Sequence, residues 1–131
     1  MGSRILFISG SVSDARRLSH MLHALPVVLD YADGVKTARA KLREEIYDVL
    51  LTEAALPDGR WLDVLQLARE SETEPEVIVT DAHADARFWS EALNLGAFDL
   101  VAQPFHEPEV CRILYNACSR AHAPMHHAAA V

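Results

Sequence analysis

The chain has 131 residues, 50% apolar and 24% charged, enough for one globular domain with its own core and not the composition of a disordered segment. Its formal net charge is −7, and its 12 Lys and Arg residues read as scattered with no stripe, so direct nucleic-acid binding by this chain alone is not expected. No apolar run approaches the roughly 18 residues of a membrane span, and no signal peptide is expected, so the expected location is the cytoplasm.

Ile5-Leu6-Phe7-Ile8 is a continuous apolar run and predicts a buried strand over 4–9. Ser9-Gly10-Ser11 ends it. Ser11, with Asp14 three residues on, has the form of a capping box opening a helix. Ala15, Leu18, Leu22 and Leu25 recur at helical spacing on one face of that helix, and Pro26 is expected to stop it. A second strand is predicted over 27–31. Asp33-Gly34 turns the chain, with Asp33 as the candidate cap of a second helix. Val35, Ala38 and Leu42 form its apolar stripe, and Lys36, Arg39, Lys41 and Arg43 face water.

Val49-Leu50-Leu51-Thr52 has no helical period and suits a strand buried on both faces in the middle of a parallel sheet. Glu53 follows at its carboxyl end, the edge where open α/β sheets hold ligands and chemistry. Pro57, Asp58 and Gly59 then turn the chain into a third helix over 60–70, with Leu62, Leu65 and Ala68 inward. Val77-Ile78-Val79 centres a fourth strand over 76–80. A fourth helix is predicted over 84–95, capped by Gly96. A fifth strand over 99–102, the loop Gln103-Pro104-Phe105 and a last helix complete the domain. Pro108 sits early in that helix, and Val110, Ile113, Leu114 and Ala117 supply its buried face. Cys111 and Cys118 lie two turns apart on it, about 10 Å, too far for a disulfide, and read as buried free thiols of a reducing compartment. Five alternations of continuous strands with helices predict an α/β doubly wound fold, a five-stranded parallel sheet with helices on both faces. The domain is expected to occupy residues 1–122, with 123–131 a flexible tail or linker stub.

A carboxylate on a central strand with a proline four residues on (Glu53, Pro57) is followed in order by Thr80 at a strand end, Leu93-x-x-Gly96-Ala97 and Pro104-Phe105. On these residues, over about 4–120, the chain resembles response-regulator receiver domains of two-component signalling. The resemblance implies the flavodoxin-like (βα)5 receiver fold and a phosphorelay role. The family's phosphoryl chemistry uses an acceptor Asp, two acidic residues after the first strand that hold a divalent cation with it, a Thr or Ser after the fourth strand, and a Lys after the fifth. Phosphoryl transfer is mostly positioning and charge neutralisation, so each part matters.

This chain departs from that pattern. Glu53 occupies the acceptor position, Ser9-Gly10-Ser11 stands in place of the acidic pair, and Gln103 precedes Pro104 where the Lys belongs; Thr80 is kept. Hydroxyl and amide groups are poor replacements for hard anionic ligands, so no metal, no cofactor and no catalytic residue is expected. The expectation is an atypical receiver that acts through protein contacts without aspartyl phosphorylation. Glu53 is expected to find donors among Thr80, Ser9, Ser11 and Gln103, and its bond with Thr80 to hold an active-like state. Two rival readings are a phosphorylatable receiver in which Asp14, Asp58 or Asp81 rebuilds the metal site, and a small-ligand sensor using the altered pocket.

Other positions carry narrower expectations. Leu100 falls at the family's aromatic switch and cannot supply a Tyr hydroxyl. Asp81 either narrows the pocket entrance or caps the fourth helix. Phe88 and Trp89 cannot both be buried on a helix that also buries Ala92 and Leu93. The face made by the fourth helix, fifth strand and fifth helix (Phe88, Trp89, Leu100) is therefore expected to meet a protein partner, an output domain or a second copy. Trp61 either shields the pocket mouth or pads the start of the third helix. His122, His126 and His127 make a poor metal site, and His20, His23, His83 and His106 show no ligand spacing.

Overall fold

The strand-forming runs are β-branched and aliphatic, and they assemble into one parallel sheet. A computed structural model of the chain describes residues 2–121. In chain order its elements are β1 (Ser3–Ile8), α1 (Val12–Met21), β2 (Val27–Ala32), α2 (Val35–Glu44), β3 (Val49–Glu53), β4 (Ala55–Leu56), β5 (Gly59–Arg60), α3 (Trp61–Glu70), β6 (Glu76–Asp81), α4 (Ala86–Leu95), β7 (Asp99–Ala102) and α5 (Glu107–Ala121). The expected tail and His122, His126 and His127 lie outside the described residues.

The sheet order is β2-β1-β3-β6-β7, all parallel. β1 and β3 are central and read as unbroken apolar runs because both their faces are covered. One face packs against α2, α3 and α4 through Leu6, Ile8, Leu50, Val77 and Val79; the other packs against α1 and α5 through Ile5, Phe7, Val49, Leu51 and Ile78. The doubly wound (βα)5 fold expected from the alternation is the one observed. Arg120 of α5 pairs with Glu76 at 3.0 Å and lies over the Phe98 ring, tying the last helical turn to the foot of β6. Cys111 and Cys118 are both free, and burial pushes both thiols up.

Several local expectations are corrected. α1 ends at Met21 with Leu22 as its C-cap, well before Pro26, and Leu25 packs from the following turn instead of the helix. Ser11 caps α1 by accepting from Asp14 N at 3.2 Å. The reciprocal half of the box is not made, because Ser11 N donates to Ser9 Oγ. In α3 the inward residues are Trp61, Val64, Leu65, Leu67 and Ala68, while Leu62 is half-buried. α4 starts at Ala86 under an Asp85 cap, and Asp81 extends β6 without capping anything.

Asp33 does not cap α2 either; its carboxylate accepts from Thr37 Oγ1. The cap comes from far along the chain. Asp58 Oδ1 and Oδ2 accept from Val35 N (2.7 Å) and Lys36 N (3.0 Å). Gly34 makes room for it: a Cβ there would stand 2.5 Å from Asp58 Oδ1. Asp58 can reach because residues 55–60 form a two-residue hairpin, β4 against β5, in the stretch the sequence suggests only as a turn. Finally, the basic residues are not wholly scattered. Lys36, Arg39 and Arg43 are exposed, three and four residues apart, in a row along α2.

Candidate functional site

The site forms where the parallel strands end together. Register pairs Ile8 with Thr52, Glu53 with Thr80, and Asp81 with Ala102. The carboxyl ends of β1, β3, β6 and β7 therefore present Ser9, Glu53, Thr80 and Gln103 at one edge. After β1 the chain winds to β2 on one side, and after β3 to β6 on the other, so this edge is also the topological switch point of the sheet.

Glu53 leans towards β1. Its Oε1 accepts from Ser9 Oγ at 2.8 Å and from Gly10 N at 3.2 Å; its Oε2 accepts from Gln103 Nε2 at 3.4 Å. Ser9 is fully buried and held on three sides. Its hydroxyl also accepts from Ser11 N at 2.9 Å, its N–H donates to Ala32 O, and its carbonyl accepts from Tyr31 Oη at 2.6 Å. Ser11 reaches Glu53 only through this relay, since its own hydroxyl is committed to α1. Tyr31, which the sequence reading passed over, buttresses the loop from β2. Burial, then the negative charges of Asp33 and Glu53, push its phenol up. The Gly10 amide was also missed, because a backbone donor leaves no trace in residue type.

Thr80 does not bond to Glu53, contrary to expectation. It is fully buried, and its hydroxyl has no hydrogen-bond partner among the described residues. Glu53 lies between β1 and β6, and two donors on the β1 side draw its carboxylate away from Thr80. Gln103 N donates to Asp81 O, and Gln103 joins Pro104 through a cis peptide bond. Asp81 is half-buried and lines an opening of about 450 Å³ with Arg60, Trp61, His83 and Phe88. Trp61 pads the helix start: it is 2% exposed, with Phe88 edge-on at 6.4 Å between ring centres.

The residues present do not fit the divalent cation that the resemblance implies. The lone pairs of Glu53 face N–H and O–H donors, the opposite polarity to a shared metal. The space beside Gly10 is also narrow: a Cβ there would stand 3.2 Å from the Pro57 ring. Of the stand-in carboxylates, Asp58 is employed on α2 and Asp14 lies 4.0 Å from Arg17, while Asp81 lines the opening beside Trp61 and His83. Among the described residues no three His, Cys, Asp or Glu side chains gather to hold a metal.

On the expected partner face, Trp89 is 47% exposed and its Nε1 donates to Asp99 Oδ1 at 3.0 Å. Phe88 is half-buried against Trp61. Leu100 is not on this surface; it packs in the core beneath α4, where the alternation of β7 points it inward.

Residues 5–115 match the family model described as the response regulator receiver domain. The response regulator protein PilR of Pseudomonas aeruginosa is 36% identical over 73 residues, covering 56% of this chain and 16% of that protein. The regulatory protein AtoC of Escherichia coli is 30% identical over 115 residues, covering 88% of this chain and 25% of that protein. The chain thus spans a quarter or less of the length of these two relatives. Among solved structures, the signal receiver domain of an HD domain-containing protein from Pseudomonas fluorescens superposes with a TM-score of 0.83 at 20% identity, covering 94% of this chain and 99% of that one.

Proposed function

The chain belongs to the response regulator receiver domain family, the receiving modules of two-component signalling, and from that premise we propose that it works as an atypical receiver whose state does not depend on phosphorylation. On this reading it is a cytoplasmic interaction module. It meets a protein partner or an output domain through the face of α4, β7 and α5, with the exposed Trp89 as anchor.

The observation that carries the reading is the engagement of Glu53. In a phosphorylatable pocket the acceptor carboxylate needs a cation beside it and a free oxygen to attack. Here one oxygen is closed off by Ser9 and Gly10, and the other faces a neutral amide. No cationic side chain hydrogen-bonds or ion-pairs with Glu53 among the described residues. The pocket keeps its carboxylate satisfied without metal or lysine.

The test is exposure of the chain to a small-molecule phosphoryl donor with Mg²⁺, followed by intact-mass measurement. The expected result is no gain of a phosphoryl group. A near-stoichiometric gain that disappears in Glu53→Gln would overturn the reading and return the site to phosphoryl chemistry.

A further inference from the structure

The outer surface of the α2–α3 layer carries a groove with opposite charge on its two lips. Two openings of about 500 Å³ each run between the helices and share Arg39, Leu67 and Glu70 as lining. One lip is the basic row of α2, Lys36, Arg39 and Arg43, all exposed. The other is the exposed row Asp63, Gln66 and Glu70 of α3, continued by Glu72 beyond its end. None of the ion pairs among the described residues joins the two lips; the one that touches the lining, Arg4 with Glu45, leads away from α3. Arg69, the basic residue of α3, points to the other side and donates to Leu95 O at 2.8 Å. Three carboxylates stand on the basic side: Glu44 and Glu45 at the far end of the row, Glu45 3.9 Å from Arg4, and Asp58 at the near end, its oxygens taken up by the amides of Val35 and Lys36. Ile46 stands at the far end, 69% exposed.

We infer that this groove is the contact surface between two copies of the chain, related by a two-fold axis lying along the groove. Rotation about that axis sets α2 of each copy over α3 of the other. Both helices start at the Lys36–Asp63 end and finish at the Arg43–Glu72 end, so height along the groove is preserved. Lys36 then meets Asp63, and Arg39 and Arg43 meet Glu70 and Glu72. A two-fold across the groove would instead place basic row on basic row. A self-complementary patch is what an isologous dimer needs. A phosphate backbone or a wholly acidic peptide would satisfy one lip and be repelled by the other; a second copy satisfies both. At a net charge of −7 two copies repel at long range, so association requires local complementarity of this kind. The surface is separate from the α4–β7–α5 face and does not depend on the Glu53 reading.

Sedimentation of the full chain tests it. The wild type is expected to dimerise at low ionic strength and to weaken about tenfold at high salt, as exposed charge pairs do when screened. Arg39→Glu with Arg43→Glu, and separately Glu70→Lys with Glu72→Lys, are each expected to weaken self-association about tenfold or more. An equimolar mixture of the two double variants is expected to recover a heterodimer, which also shows that both are folded. The neutral pair Arg39→Gln with Arg43→Gln should weaken association by less than the reversal. A wild type that stays monomeric, double variants that dimerise normally, or a mixture that stays monomeric would each overturn the inference. So would a dimer that survives both reversals and is lost on Trp89→Ala, which would move the contact to α4.

Discussion

The Glu53 carboxylate is satisfied by neutral donors alone among the described residues. Its oxygens take donors from a serine, a glycine amide and a glutamine amide, all on segments that follow strand ends. Ser9 matters most, because it is fully buried and its hydroxyl donates to Glu53. Glu53→Ala is expected to cost about 1–3 kcal/mol in urea unfolding, the usual penalty for orphaning a buried donor. Glu53→Gln keeps an acceptor oxygen, and should recover all but about 1 kcal/mol of that. Equal losses in the two variants would mean that charge, not the acceptor, is what the pocket requires. Thr80 is the counterpart. Its buried hydroxyl has no hydrogen-bond partner among the described residues.

At the scale of elements, the β4–β5 hairpin and α2 act as one unit because Asp58 joins them. A carboxylate at a helix N-terminus satisfies free N–H groups and complements the helix dipole. Hydrogen bonds from Lys36 N and then Val35 N hold the Asp58 carboxyl below its ordinary value. A carboxyl depressed by folding stabilises the native state at neutral pH. That stabilisation is lost as pH falls below the ordinary aspartate value of about 4 and through the lower folded value. Asp58→Asn keeps an acceptor but cannot titrate. Melting temperatures measured between pH 6 and pH 2 should therefore fall less steeply for the variant, with the wild type the more stable at pH 6 (values on the general carboxylate scale of about 4). Parallel curves would remove Asp58 from the linkage. The hairpin also carries Pro57, whose ring would stand 3.2 Å from a Cβ at Gly10.

The whole molecule separates its surfaces. The Glu53 pocket sits at the carboxyl edge of the sheet, the charged groove on the outside of α2 and α3, and Trp89 on α4. The pocket donors Ser9, Gly10 and Gln103 line neither opening of the groove. Sites without shared partners are nearly additive, so Glu53→Ala is expected to leave the self-association constant within about twofold of wild type. A larger change would show that the hairpin, through Asp58, transmits the state of the pocket to α2.

Much of this was legible in the residue order. Continuous apolar runs at β1, β3 and β6 and helical stripes between them dictate a doubly wound parallel sheet, because only a sheet covered on both faces tolerates strands without a polar side. The same order placed Glu53, Ser9, Gly10, Thr80 and Gln103 at one edge, since they follow successive strand ends. What the residue order did not decide is which donors Glu53 takes. Thr80, Ser9, Ser11 and Gln103 are all of suitable type, and the choice rests on packing: which neighbour strand the side chain leans on, and a backbone amide that no residue name announces. The cap of α2 lay hidden for the same reason. Asp33 is adjacent in sequence, but Asp58, 23 residues beyond Val35, is adjacent in space. Local pattern determines elements because their periodicity is written in neighbouring side chains. Hydrogen-bond partners across elements, and the two charged lips of the α2–α3 groove, exist only once the crossovers have brought separate segments side by side.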